Sequence, residues 1–195
     1  TVQIGEQLWM AENLKVIHYN NGDEIPTGLS SGTDGEWANT TEGAYAVYDD
    51  DPANADIYGN LYNWYAVNDS RFVCPDGWHV PNDAEYTVLT DSLGGISVAG
   101  GKMKECTEGS CPESDYWDSP NTGATNESEF TGLPAGSRSS FSGDYSWMGY
   151  NGYFWSSSES DSTNAWKRNL QSSVKKLFRS PSYKDNGYSI RCLKD

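Results

Sequence analysis

The chain has 195 residues, with 13 Lys and Arg against 28 Asp and Glu, which gives a formal net charge of −15 at neutral pH. This length allows one domain, or at most two small ones. So much negative charge repels phosphate backbones and anionic membrane surfaces, and nucleic acid is therefore excluded as a partner. No apolar run approaches the roughly 20 residues that a membrane-spanning helix needs, so we expect no membrane insertion.

The chain is polar overall but rich in aromatic residues. Its mean hydropathy is −0.72, yet 8 Trp, 13 Tyr and 5 Phe supply large side chains to bury, which a disordered acidic chain lacks. We expect a single ordered domain over residues 1–195. The first residues do not form the charged and apolar leader of an export signal. We expect such a signal to have been removed, and the domain to be part of a larger surface protein.

The first ten residues predict a β-hairpin. Val2 and Ile4 alternate with polar neighbours, and Gly5-Glu6 suits a two-residue turn. Beyond the turn, Leu8 and Met10 resume the alternation. The last residues of the chain also have the pattern of a strand, so we expect strands at both termini.

Residues 20–57 carry clusters of Asn, Gly, Asp and Pro without a sustained period. They predict long ordered loops with a short extended piece at 45–48. Four acids in this region concentrate the hard oxygen ligands that calcium prefers: Asp49, Asp50, Asp51 and Asp56. Because they lack the spacing of an EF-hand, we favour a solvated acidic loop, with a bound Ca²⁺ ion as the alternative.

Two segments predict helices. Apolar side chains recur with helical spacing over residues 58–67. In the second segment, Asn82 and Glu85 have the spacing of a capping box, and Gly94-Gly95 supplies a left-handed stop. The inward face of that second helix is predicted to carry Tyr86, Leu89 and Leu93.

The second half of the chain predicts antiparallel strands. Its short strand-like runs are separated by Ser, Gly, Asn and Asp, and they lie at residues 132–138, 152–157, 165–170, 174–179 and 188–193. Helices first and strands afterwards indicate an α+β fold.

The four cysteines are Cys74, Cys106, Cys111 and Cys192, and four cysteines allow three pairings. We favour disulfides in an oxidising compartment over free thiols. The favoured pairs are Cys106 with Cys111, which closes a short loop, and Cys74 with Cys192, which ties the middle of the chain to its C-terminus.

Five segments resemble the Fibrobacter succinogenes major paralogous domain. They are residues 9–14 (Trp-Met-Ala-Glu-Asn-Leu), 58–67 (Tyr-Gly-Asn-Leu-Tyr-Asn-Trp-Tyr-Ala-Val), 74–81 (Cys-Pro-Asp-Gly-Trp-His-Val-Pro), 121–128 (Asn-Thr-Gly-Ala-Thr-Asn-Glu-Ser) and 188–192 (Tyr-Ser-Ile-Arg-Cys). That family in turn resembles the C-type lectin-like fold, which is similar to formylglycine-generating enzymes and to the variable proteins of diversity-generating retroelements. The resemblance implies two helices, paired terminal strands and a second sheet with a loop-rich binding face. It also supports the Cys74–Cys192 pair.

A candidate ligand face lies between residues 138 and 168. Aromatic rings pack against sugar C–H groups, while amides, hydroxyls and arginines satisfy sugar hydroxyls in a shallow, wet site. Carried over by position from the retroelement-diversified relatives, the exposed candidates are Arg138, Ser140, Asp144, Tyr145, Trp147 and Tyr153. Trp155 and Trp166 lie in strand-like runs and are expected in the core. The Glu-Pro-Asn, Gln-Pro-Asp and Trp-Asn-Asp triplets of classical lectins do not occur, so the sequence does not predict calcium-bridged sugar binding.

Catalysis is the less favoured reading. Formylglycine-generating enzymes use a reactive cysteine pair five positions apart, as Cys106 and Cys111 are, but no basic residue lies in that loop to lower a thiolate pKa. We therefore expect a non-catalytic module, extracellular or on the cell surface, that binds a glycan or polysaccharide. The alternative is a protein-binding adhesin or variable receptor-binding domain whose partner is a cell-surface protein.

Overall fold

Eleven strands and five short helices form the chain, which the computed structural model describes over residues 1–195. The strands are β1 (Val2–Ile4), β2 (Gln7–Trp9), β3 (Tyr45–Ala46), β4 (Leu61–Tyr62), β5 (Trp78–His79), β6 (Ala135–Arg138), β7 (Tyr145–Met148), β8 (Asn151–Glu159), β9 (Asn164–Gln171), β10 (Val174–Tyr183) and β11 (Leu193–Lys194). The helices are α1 (Glu36–Asn39), α2 (Pro52–Tyr58), α3 (Trp64–Val67), α4 (Asp83–Ser92) and α5 (Ala99–Met103). This combination is an α+β fold, as predicted.

The two ends of the chain meet in a four-stranded sheet of order β1-β2-β11-β5. Leu193 pairs with Trp9 on one side and with His79 on the other. The hairpin and a C-terminal strand are thus confirmed. The strand predicted at 188–193 is shorter, however, because β11 covers only Leu193–Lys194 and Tyr188 and Ser189 form isolated bridges. The inward residue after the turn is Trp9, however, because the hairpin register sets it opposite the first inward residue of β1. Leu8 and Met10 are only half-buried.

Helix α4 begins and ends where the sequence predicts. The side-chain oxygen of Asn82 accepts a hydrogen bond from the Glu85 backbone at 2.9 Å, and the Glu85 carboxylate accepts one from the Asn82 backbone at 2.7 Å. Gly94 and Gly95 both have φ of +94°, the left-handed conformation that stops the helix. The predicted inward face is buried, with Tyr86, Leu89 and Leu93 all in the core.

The continuous helix predicted over residues 58–67 is wrong. Helix α2 ends at Tyr58, Gly59 turns the chain with φ of +74°, and β4 follows before α3. Strand β4 pairs with β3, and Tyr62 exchanges two backbone hydrogen bonds with Tyr188, at 2.8 and 3.0 Å. Because these pairings come from distant parts of the chain, they override the local helical pattern.

A five-stranded sheet of order β10-β9-β8-β6-β7 occupies the second half of the chain. Its β8–β9 and β9–β10 pairs are antiparallel, as predicted, and β6 adds a parallel bridge to β8. The sheet separates two hydrophobic clusters. One side carries Trp155 and Ala165 towards the first cluster, and the other carries Phe154 and Leu170 towards the second. Trp155 is buried as predicted, whereas Trp166 is half-buried beneath Arg179.

Both predicted disulfides are formed, and no cysteine is free. Cys74–Cys192 closes a loop of 118 positions within the first cluster. Cys106–Cys111 closes a loop of five positions at the surface.

Candidate functional site

Three of the six predicted site residues lie in or next to β7, at one edge of the five-stranded sheet. Asp144 is exposed, Tyr145 is half-buried, and Trp147 is 58% exposed. The Tyr145 hydroxyl donates to the Asp50 carboxylate at 2.6 Å, and its ring centroid lies 5.3 Å from that of Tyr48. Burial, reinforced by the hydrogen bond to Asp50, raises the pKa of Tyr145. Its hydroxyl therefore stays protonated and is held in place by the acidic loop.

Trp147 has an unusual backbone for a bulky residue, with φ of +71°. The left-handed conformation costs about 1–2 kcal/mol for a residue with a β-carbon. Since most of the indole faces solvent, packing does not offset this cost. Strain of this kind concentrates at functional sites.

Arg138 was expected on the exposed face, and that prediction is wrong. The residue is 1% exposed. Its Nε donates to the Gly143 carbonyl at 2.9 Å, its Nη2 donates to the Leu29 carbonyl, and its guanidinium lies between the rings of Trp37 and Tyr145 at 4.3 and 5.2 Å. Burial lowers its pKa. Arg138 is therefore a scaffold residue that ties two loops to the sheet.

The acidic loop does not assemble the alternative calcium site. No group of three or more His, Cys, Asp or Glu side chains is placed to hold a metal ion. Asp50 accepts from Tyr145, and Asp51 caps α2 by accepting from the Ala53 backbone at 3.0 Å. Asp49 and Asp56 take part in neither of these hydrogen bonds, and the four carboxylates do not converge on one point.

The remaining two predicted residues, Ser140 and Tyr153, are associated with a different surface. We call this surface the β8–β10 face. It consists of the side chains that share one side of these strands: Tyr153, Lys167, Asn169, Gln171, Phe178 and Ser180. Tyr153, Asn169 and Phe178 stand opposite one another across the three strands. All six residues are half-buried except Asn169, which is buried. The face is thus a partly exposed platform of rings, amides and one cation, and on the same side of the sheet Trp155 and Ala165 pack in the first hydrophobic cluster.

Tyr153 is fixed by the ring beneath it. Its ring stacks on Tyr188, with centroids 4.8 Å apart and an interplanar angle of 30°. Tyr188 in turn packs on the buried Trp155, 4.6 Å between centroids. Burial raises the pKa of both tyrosine hydroxyls. The half-exposed Tyr153 ring is therefore presented to solvent in a defined orientation.

A chain of hydrogen bonds connects Ser140 to this platform. The Ser140 backbone donates to the Asn186 side chain at 2.8 Å, and Asn186 donates to the Ser182 hydroxyl at 3.0 Å. Ser182 shares a 2.8 Å hydrogen bond with the Tyr188 hydroxyl. The loop that carries Ser140 is thereby coupled to the ring that supports Tyr153.

Amide groups continue the β8–β10 face towards the exposed aromatics. Gln171 donates to the Asn169 side-chain oxygen at 3.1 Å, and Asn169 donates to the Leu170 carbonyl at 2.9 Å. Beyond Gln171, the Ser172 backbone donates to the Tyr150 carbonyl at 2.9 Å. Tyr150, in the turn that follows β7, thus lies beside the end of β9 that carries Gln171.

Sequence reasoning missed five of the six residues of this face, among them Lys167, Asn169 and Gln171 of β9. These three recur at every second position, the spacing that places side chains on one side of a strand. That period was present in the sequence, but the strand pattern alone does not tell which residues of the sheet keep contact with solvent.

A separate cleft of about 510 Å³ lies beside the Cys106–Cys111 loop. Its lining is mostly polar, with Glu113, Asp115 and Asn121 among its residues. None of the predicted site residues contributes to it, and the cleft is not part of the β8–β10 face.

Comparison with protein families decides where the chain belongs. The model of the Fibrobacter succinogenes major domain matches residues 2–194. The chain is a member of this family. In this Fibrobacter succinogenes major domain, the segments at residues 9–14 and 188–192 are joined through the buried side chains of Asn13 and Arg191. A search of curated proteins found no match to the domain, and a search of solved structures found none either.

The helices of the domain are short. None of them has the length and apolar character that would be needed to span a bilayer.

Proposed function

We propose that this Fibrobacter succinogenes major domain is a non-catalytic, extracellular module that binds a glycan on the β8–β10 face. The observation that carries the proposal is the row of Tyr153, Asn169 and Phe178, in which two half-buried rings flank a buried amide that holds the half-buried amide of Gln171 in place. Sugar rings pack their C–H groups on such aromatic faces, and amides and bridging waters satisfy their hydroxyls.

The proposal includes a C-type lectin-like architecture. Three features support it: the pairing of the N- and C-terminal strands, the Cys74–Cys192 disulfide next to the last strand, and a second sheet flanked by long loops. In such an arrangement the helices and the terminal sheet form the base, and the second sheet with its loops presents the ligand site.

The extracellular location has its own support. Two disulfides are compatible with an oxidising compartment, where such bonds form and persist.

The test is a glycan array followed by calorimetry on the strongest hit. Replacing Tyr153 with Ala should weaken binding about tenfold or more, as expected when a central aromatic contact is removed. Tyr183→Ala is the matched control, because Tyr183 is 61% exposed and follows Ser182 on the opposite side of β10. Thermal unfolding of each variant shows whether the fold is retained. Equal binding by Tyr153→Ala and the wild type would refute the assignment of the face.

The alternative is a protein-binding adhesin that uses the exposed aromatic residues of β7 and of the loops on either side of it. Phe141, Trp147 and Tyr150 are 74%, 58% and 51% exposed, and exposed aromatic side chains are typical anchors of protein interfaces. This reading predicts no signal on the glycan array and a cell-surface protein partner whose binding is lost in Trp147→Ala.

A further inference from the structure

The ammonium group of Lys167 has no acceptor in the protein. Its Nζ lies 4.7 Å from the ring centroid of Tyr153 and 5.7 Å from that of Tyr188. Burial is the one cause that shifts the pKa of Lys167, and no hydrogen bond or nearby charge offsets it. The Nζ atom keeps some contact with water, because it is not among the fully buried polar atoms that lack a partner. The part of its hydration that burial removes is a loss, and cation–π contacts restore only part of that loss.

Three other lysines of the chain are half-buried or buried, and all three are satisfied. Lys102 pairs with the Glu127 carboxylate at 2.7 Å. Lys104 donates to four backbone carbonyls at 3.0 to 3.4 Å. Lys184 donates to the Glu159 carboxylate at 2.6 Å and to the Ser162 carbonyl at 3.0 Å. Among these lysines, the missing acceptor is therefore particular to Lys167 on the β8–β10 face.

An acceptor can reach Lys167 from the solvent side. Lys167 stands opposite Ser180 on β10, and both keep part of their surface exposed, although Trp155 on the other neighbouring strand is buried. Burial lowers the pKa of Lys167 to about 8, so most of the molecules carry the charge at neutral pH. An anion bound next to the ammonium group would favour the charged form further.

We propose that Lys167 binds a carboxylate of the ligand, so that the preferred glycan carries a uronic acid. This inference rests on the proposed function. The net charge of −15 argues against a dense polyanion as the ligand, because a densely charged chain is repelled by the rest of the surface. A largely neutral glycan with an isolated uronic acid avoids that repulsion, since charges beyond a Debye length of about 8 Å are screened in physiological salt.

The experiment compares three ligands of one backbone by calorimetry. They are a neutral oligosaccharide that bears one uronic acid, the same compound with its carboxylate reduced to an alcohol, and a sulfated form without the uronic acid. The wild type should bind the uronic acid form about tenfold more tightly than the reduced form, the scale of one charge-assisted hydrogen bond. Lys167→Gln should lose this preference and still bind the reduced form, and Lys167→Arg should keep the preference.

Lys15→Gln is the control for the change in charge, because Lys15 is exposed and pairs with Glu12. It should bind all three ligands as the wild type does. If the wild type binds the acidic and the reduced forms equally, or if Lys167→Gln keeps the preference, the inference fails while glycan binding stands. Tighter binding of the sulfated form would overturn the carboxylate assignment. Binding of none of the three, with no hit on the array, would overturn the proposed function together with the inference.

Discussion

The guanidinium of Arg191 donates two hydrogen bonds to a single atom, the side-chain oxygen of Asn13, from Nε at 3.1 Å and from Nη2 at 2.6 Å. Arg191 is fully buried and makes its other hydrogen bonds to backbone carbonyls, among them that of Met10 at 3.2 Å. Burial lowers its pKa. The charge is thus held by oriented amide and carbonyl dipoles in the absence of a carboxylate.

Asn13→Ala should destabilise the domain by about 2–4 kcal/mol, because it leaves a buried charge short of its main acceptor. Urea unfolding measures the effect. Asn21→Ala, at an exposed loop position, should change the free energy of unfolding by less than about 0.5 kcal/mol. A loss of similar size in both variants would show that the Arg191 contact is not the cause.

Lys104→Met should also be strongly destabilising, by about 3–5 kcal/mol. The variant keeps most of the side-chain volume but removes the donor shared by the carbonyls of Thr122, Gln171, Ser172 and Val174. Amide exchange should rise in the segments that these carbonyls belong to. Lys175→Met, on an exposed part of β10, serves as the control and should have little effect. Unchanged exchange in Lys104→Met would contradict the role of the four hydrogen bonds.

The two disulfides should differ in their contribution to stability. Chain entropy gives about 5 kcal/mol for a loop of 118 positions and about 2 kcal/mol for one of five positions. Replacing Cys74 and Cys192 with Ala should therefore lower the melting temperature more than replacing Cys106 and Cys111. Calorimetry of both double variants tests the order, and a reversed order would contradict the loop-length argument.

Lys167 should give the domain a pH-dependent stability. Its folded pKa is lowered from 10.5 to about 8, so between these values the unfolded chain binds more protons than the folded one and stability rises with pH. The groups that face its Nζ are Tyr153 and Tyr188, whose pKa values are raised, so both stay neutral there. Lys167→Met should flatten this rise by about 1 kcal/mol or less, because solvent screens a half-exposed group. Urea unfolding at pH 7.5 and 9.5 measures the difference, and identical slopes in the two proteins would contradict it.

Trp147→Gly should stabilise the fold by about 0.5–1 kcal/mol. Glycine adopts the positive φ of this position without a steric penalty, and the exposed indole contributes little packing. If Phe141, Trp147 and Tyr150 bind a protein partner, the same variant should lose that binding. A clear loss of stability would show that the indole packs against the domain.

The elements that the sequence predicts correctly depend on local signals. The capping box of Asn82 and Glu85 and the stop at Gly94 lie within one helix, so neighbouring residues specify them. The strands β8 to β10 are likewise predicted by period and turn residues, and they lie next to one another in the sheet.

The elements that the sequence misses depend on distant partners. Leu61 and Tyr62 have helical spacing, yet pairing with β3 and with Tyr188 makes them extended. The charge of Arg138 suggests exposure, but Leu29 and Trp37, about a hundred positions away, bury it. The spacing of the β9 side chains shows that they share one side, and only the packed sheet shows that Lys167 and Gln171 on this side stay partly exposed.

The Cys74–Cys192 bond also determines how the domain responds to mechanical load. When residues 1 and 195 are pulled apart, tension crosses from position 74 to position 192 through the sulfur atoms, and the chain between them bears none of it. All strands of the β8–β10 face lie within that shielded loop. The segments outside it can be drawn out while the backbone of the face stays inside a covalent ring of limited extension.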